Sequence, residues 1–238
     1  MNIITPDKIL TEEDCERERT PQELIDWVEE KYRLFAQTPD SRNYARLCKG
    51  LSKKFFEEIR PLSLLVKHLY SDRIDVRCVP NVGNENFDAL ITDPLKNPPE
   101  QKIEFTQAID GYEDHLRMVY LIKHGHVNCP GTVTSTGTQN TGRTVEVKNE
   151  TVEHDEVVKK GLELITIAAK GKSEKKYGKD TLLVIVFDDD TVFPTDKDLS
   201  KLDNHVRTEL LPMKLDFPKL YLLGSSGNTL MEFPLGNG

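Results

Sequence analysis

The chain has 238 residues, of which 37% are hydrophobic and 30% charged, and carries a net charge of −8 at pH 7. That length buries an ample core as one large domain or a domain with additions, and no apolar run reaches the ~20 residues that span a bilayer. The acidic balance is unfavourable for non-specific nucleic-acid binding by the whole surface, so a DNA partner needs a local basic patch or a metal that neutralises an acidic site. The first residues lack a basic start followed by an apolar stretch, so no secretory signal is read and a cytoplasmic, non-membrane protein is expected. Cys15, Cys48, Cys78 and Cys129 are widely spaced with no CxxC pair, which speaks against a zinc ribbon and gives a disulfide framework no support.

In chain order, residues 1–19 are acidic and without period and are expected to be loosely ordered. Thr20, Pro21 and Glu23 form a helix start with a capping box. The following helix places Leu24, Trp27, Val28, Tyr32 and Phe35 on one packing stripe, and Pro39 ends it. Residues 1–44 are read as an N-terminal helical extension. A second helix is expected over 42–70, bent at Pro61, with Tyr44, Cys48, Leu51, Phe55, Ile59, Leu62 and Val66 as its buried face. Glu58 falls at the edge of that apolar arc while Glu57 points away. A carboxylate facing a core needs a cation or a metal; alternatively Glu58 sits at the rim and reaches water.

Residues 74–79 (IDVRCV) read as a strand, 80–85 as a turn, and 87–92 (FDALIT) and 102–108 (KIEFTQA) as two more strands. The linker between these two carries Pro94, Pro98 and Pro99 and is a turn. Strand residues two apart share a face, so Lys102, Glu104 and Thr106 project together while Ile103 and Phe105 enter the other layer. Pairing of these strands sets Asp88 beside Glu104, and two carboxylates held that close invite a divalent metal.

A helix over 112–124 follows Asp110-Gly111, with Gly125 as C-cap; its Arg117 either faces the acidic pair or is solvated. The Gly/Thr-rich stretch 126–150 reads as a hairpin insertion with its tip at Gln139-Asn140-Thr141-Gly142. His124, His126 and Cys129 superficially suggest a metal site, but their spacing matches no ligand pattern, and loop decoration is the plainer reading. A long helix spans 151–177, with Val157, Val158, Leu162, Ile165, Ala168 and Ala169 buried. Its lysine-rich end, KGKSEKKYGK, either complements the helix dipole or offers a phosphate backbone its contact. Residues 181–187 (TLLVIVF) read as a central strand covered on both faces. Asp188, Asp189 and Asp190 at its end are a turn or a ligand position. A helix over 196–211, a strand over 219–224 and a polar tail from 225 to 238 complete the chain. There is no phosphate-binding GxxxxGK[ST] loop and no GxSxG elbow.

The element order, with Asp88 in NFDALI and Glu104 in KIEFTQ 16 residues later, resembles the PD-(D/E)XK nuclease superfamily. The expected fold is thus α/β, a central mixed β-sheet flanked by helices with a restriction endonuclease-like core, within a domain over 45–238. The resemblance covers roughly residues 45–224. It implies that Asp88 and Glu104 bind a metal, Mg²⁺ or Mn²⁺, that activates water against a phosphodiester, and that Glu58 matches the additional helix glutamate of many members. The family's lysine, two residues after the second acid, is Thr106 here, and Thr supplies no positive charge. Lys102 on the same strand face, or Lys170, Lys172 or Lys175 from the helix, stands in as a migrated lysine; otherwise the fold is kept and catalysis lost. The implied function is a metal-dependent endonuclease acting on nucleic acid, DNA foremost, in restriction, repair or phage defence, with Asp88, Glu104, Thr106 and Lys102 at the reacting centre. The alternatives are an inactive nuclease-like module that binds nucleic acid or a partner protein, and a structural α/β domain whose acids pair with Lys102 and Arg117.

Overall fold

The computed structural model describes residues 5–128, 131–137, 144–148, 150–175, 177–213 and 215–235. Before the sheet come α1 (Glu12–Cys15), α2 (Pro21–Gln37), α3 (Pro39–Arg46), α4 (Leu51–Lys54) and α5 (Arg60–Tyr70), with one π-helical turn (Phe55–Ile59) between α4 and α5. Then follow β1 (Arg77–Pro80), β2 (Ala89–Thr92), β3 (Glu100–Gln107), α6 (Gly111–His124), a hairpin of β4 (Val133–Thr136) and β5 (Thr144–Val147), α7 (His154–Ser173), β6 (Thr181–Phe187), α8 (Asp196–His205), β7 (Lys219–Gly224) and β8 (Leu230–Pro234). The fold is α/β, as expected.

Six strands form one mixed sheet in the order β1-β2-β3-β6-β7-β8, parallel across β3, β6 and β7 and antiparallel at both ends. Every residue of β6 is buried, and its alternation divides them between two cores. Leu182, Val184 and Val186 face the layer of Leu24, Val28 and Phe35 from α2 and Leu62, Leu65 and Val66 from α5. Leu183, Ile185 and Phe187 face Val158, Ile165 and Ala169 of α7 and Leu202 of α8. Helix α2 therefore shares the first core with the sheet. The capping box at its start forms as expected, Thr20 Oγ1 accepting from Glu23 N and Glu23 Oε2 accepting from Thr20 N at 2.8 Å. Among the described residues no helix is long and apolar enough to cross a membrane.

Several expectations are corrected. Residues 5–19 are docked, not loose: Ile9, Leu10 and Cys15 are buried, and Arg19 bridges backbone to backbone with Cys78, covering the outer edge of β1. Tyr32 is half exposed, its ring meeting Phe56 and the Arg60 guanidinium at the rim of the stripe. The single helix over 42–70 is broken between α3 and α4, where Cys48 and Gly50 take positive φ, and Cys48, expected on the buried face, is exposed. A side chain at Gly50 would strike the Tyr44 hydroxyl at 2.6 Å. The tail also holds β8, which returns through a turn at Gly227 and buries Phe233 against the second core; an alternation only five residues long gave it little sequence signal.

The π turn replaces the bend expected at Pro61. Proline has no N–H to give the carbonyl of Glu57, four residues before it. The helix widens instead, with Arg60 N donating to Phe55 O five residues back. Glu58 lies in that turn.

Candidate active site

The site forms where β2 peels away from β3. Their pairing runs from Thr92↔Glu100 to Ala89↔Ile103, and Asp88 N still donates to Ile103 O at 2.8 Å. Beyond that point β3 would present Phe105 N–H as an unpaired edge donor. The Asp88 carboxylate accepts it at 2.8 Å through Oδ2, so the aspartate closes the splayed edge. Glu104 is buried and projects to the α7 side, where its Oε1 accepts from the Lys172 ammonium and, at 2.9 Å, from the Tyr177 hydroxyl. Tyr177 is fixed by stacking on Phe217, with centroids 4.9 Å apart. From the opposite layer the π turn brings Glu58, and Lys54, one turn earlier, lies between the two acids. Its Nζ is 3.0 Å from Glu58 Oε2 and 3.9 Å from Asp88 Oδ1.

The cleft so formed has a volume of about 360 Å³ and is bordered by Lys53, Glu57, Glu58, Asp88, Thr106 and Lys172 among others. Burial, reinforced by Asp88, pushes the Glu58 carboxyl up to about 7. Burial and the neighbouring Glu104 also raise Asp88, against the opposing Phe105 N–H and Lys54. Burial raises Glu57 too. Desolvation and like charge thus act together on acids in one cleft, so that their charged forms lack full compensation.

Of the expected site residues, Asp88, Glu58 and Thr106 border this cleft, and Glu104 joins it through its Lys172 partner. Lys102 does not: it pairs with Asp180 at 2.8 Å, 37% and 46% exposed. Among the helix lysines, Lys170 and Lys175 are exposed and Lys172 turns onto Glu104. Arg117 is directed to Glu113 at 3.5 Å and to the Asn128 carbonyl. Asp189 is structural, accepting from Ser226 N at 2.9 Å and Ser226 Oγ at 2.6 Å, and Asp188 caps the turn at Asp190 and Thr191. His126 Nδ1 lies 3.1 Å from the His124 carbonyl. Cys129 and the hairpin tip at Gln139-Asn140-Thr141-Gly142 lie outside the described residues.

Sequence reasoning missed Lys54, Tyr177 and Gln107. Lys54 had a readable signal, its i,i+4 spacing from Glu58. Tyr177 and Gln107 had none, because their partners lie 73 and 50 residues away.

The oxygen-only donor set of Asp88, Glu104 and Glu58 suits a hard divalent cation such as Mg²⁺ or Mn²⁺. Glu58 Oε2 supports that fit: it is buried, and the ammonium at 3.0 Å is not aligned to hydrogen-bond it. With Glu104 closed on Lys172 and Tyr177, no three His, Cys, Asp or Glu side chains among the described residues converge tightly enough to hold an ion. Compared with protein-family models, curated proteins and solved structures, the chain finds no match.

Proposed function

We propose that this chain is a divalent-metal-dependent nuclease that hydrolyses phosphodiester bonds, with a restriction endonuclease-like core. The observation that carries the reading is the Lys172–Glu104 ion pair beside Asp88. It restores from α7 the ammonium that Thr106 cannot supply from β3. Asp88 and Glu104 would hold the metal, with Glu58 as a further oxygen donor. When bound, such an ion lowers the pKa of water and offsets charge building on the phosphate. Lys172, now paired with Glu104, would supply a positive charge that orients a water or a phosphate oxygen. Tyr177 keeps a hydrogen bond on Glu104 and so fixes that carboxylate's direction. Lys54 holds Glu58 and Asp88 in place when the acids are otherwise uncompensated. The exposed Lys170 in the last turn of α7 and Lys175 just beyond its end supply a phosphate-contacting patch on an otherwise acidic chain, which favours DNA or another nucleic acid as substrate.

The test is calorimetric titration of Mn²⁺ or Mg²⁺ into the wild type and Asp88→Ala/Glu104→Ala, with plasmid and single-strand cleavage run under the same metals. Binding that the double variant loses, with cleavage lost alongside, is the expected result. A wild type that neither binds metal nor cleaves would overturn the reading. The competing reading, a nuclease-like module without catalysis, draws on Thr106 and on the closed Glu104 pair. It requires nucleic-acid or partner binding that survives Asp88→Ala/Glu104→Ala.

A further inference from the structure

Gln107 has no place in the chemistry above, yet it makes a hydrogen bond that ties the two halves of the cleft together, alongside the Lys54–Asp88 ion pair. It lies on β3, one residue past Thr106, and faces the layer that holds the π turn. Its Nε2 donates to the Glu57 carbonyl at 2.7 Å. That carbonyl is the acceptor that Pro61, lacking an N–H, leaves over in the helix. A carbonyl shielded from water and left without a donor is costly, and this bond is partly buried, so a donor from outside the helix favours the wide turn in its present shape. Gln107 is that donor, and the peptide it grips is the one leading directly into Glu58.

From this geometry we infer that Gln107 is a positioning residue: by holding the freed Glu57 carbonyl, it fixes the π turn against β3 and sets Glu58 facing Asp88 in the cleft. The inference deepens the nuclease reading and rests on it for the role of Glu58. The coupling itself rests on the Gln107–Glu57 bond, the missing proline donor and the backbone continuity from Glu57 to Glu58. Without the bond, Glu57 O turns to find water and the turn relaxes, carrying the Glu58 carboxylate away from Asp88.

Gln107→Met, close in length but without a donor, tests this. In metal-free, ¹³C-labelled protein that remains folded, the Glu57 carbonyl and Glu58 carboxyl resonances are expected to move. In a parallel titration Mn²⁺ affinity is expected to fall roughly 10-fold, the lower end of what losing an outer-shell partner of a metal ligand costs. Should Gln107→Met fail to fold, Gln107→Asn serves, being one methylene too short to span the contact. A folded variant whose Glu57 and Glu58 resonances stay at their wild-type positions would overturn the inference, even with a lowered unfolding midpoint, because Gln107 would then be merely structural. The resonances decide this without metal. A wild type that binds no Mn²⁺ counts against the nuclease reading alone.

Discussion

Replacing Glu58 by Gln removes a charge from a place where charge is disfavoured, and its effect on stability has a calculable sign and window. The Glu58 side chain is 16% exposed, and burial together with Asp88 lifts its carboxyl from an ordinary 4.5 to about 7. Between those values the folded chain keeps a proton that the unfolded chain has released, so unfolding releases a proton and stability falls as pH rises. The loss is complete above about pH 7 and absent below about 4.5. At about 1.36 kcal/mol per pH unit the interval corresponds to about 3 kcal/mol. Glu58→Gln escapes that cost, and Lys54 retains Asp88 as its partner at 3.9 Å. The variant is therefore expected to be more stable than the wild type by about 2–3 kcal/mol at pH 8, or roughly 6–9 °C in Tm for a chain of this size. Near pH 4.5 it should show no gain. Denaturant unfolding followed by circular dichroism at the two pH values measures this directly, because groups that titrate equally in both proteins cancel in the difference. A variant equally or less stable at pH 8, or one whose gain persists unchanged at pH 4.5, would refute the reasoning.

Two further outcomes follow from the geometry. Lys172→Met is expected to lower the cleavage rate by roughly 100-fold or more, whereas Lys102→Met, whose partner is the exposed Asp180, is expected to stay within about twofold of wild type; a plasmid nicking assay compares them, and equal losses would refute the assignment of the ammonium to α7. Gly224→Ala is expected to cost roughly 3 kcal/mol in chemical denaturation, because a Cβ there would lie 2.0 Å from Asp189 Oδ2, and an unchanged midpoint would refute the structural role given to Asp189.

The sequence carried much of the architecture because its strongest signals are local. The apolar run 181–187 and the strand 219–224 coincide with β6 and β7, and Gly125 ends α6 in the left-handed conformation expected of it. Strand alternation also set Glu104 on a different face from Ile103 and Phe105. The failures are of two kinds. Periodicity read residues 42–70 as one helix because the apolar spacing of Tyr44, Cys48, Leu51 and Phe55 stays in phase across the break at Cys48 and Gly50, although Cys48 itself is exposed. That break depends on a tight approach of Tyr44, which no window over the sequence registers. Pro61 was visible, but its consequence was not: the disturbance appears before the proline, as a π turn, since the missing N–H disrupts the bond to residue 57. The site divides likewise. Asp88 and Glu104 are joined by one hairpin and were legible; Lys172 was legible only as one of several candidate lysines, and it and Tyr177 reach Glu104 from 68 and 73 residues away. Only the packing of α7 on the second face of the sheet brings them there.

The electrostatics favour the metal reading over a purely structural cluster. A structural ion-pair network lowers the pKa of its acids, as Lys102 does for Asp180 and Arg73 does for Asp75. In the cleft the opposite holds: Asp88, Glu57 and Glu58 are all raised, although Lys54 and Lys172 oppose the shift at Asp88 and Lys53 and Lys54 oppose it at the glutamates. Three carboxylates at the splayed edge, Asp88, Glu104 and Glu58, share two close ammonium groups, and the buried Glu58 oxygen has a cation near it without a hydrogen bond. A protein that needed only to fill this space would be more stable with an apolar or neutral side chain at position 58. What an additional divalent cation would supply is positive charge for Asp88 and Glu58 in the cleft, where Glu104 is at present closed on Lys172 and Tyr177. The cost to stability near neutral pH is therefore itself a reason to read the cleft as functional.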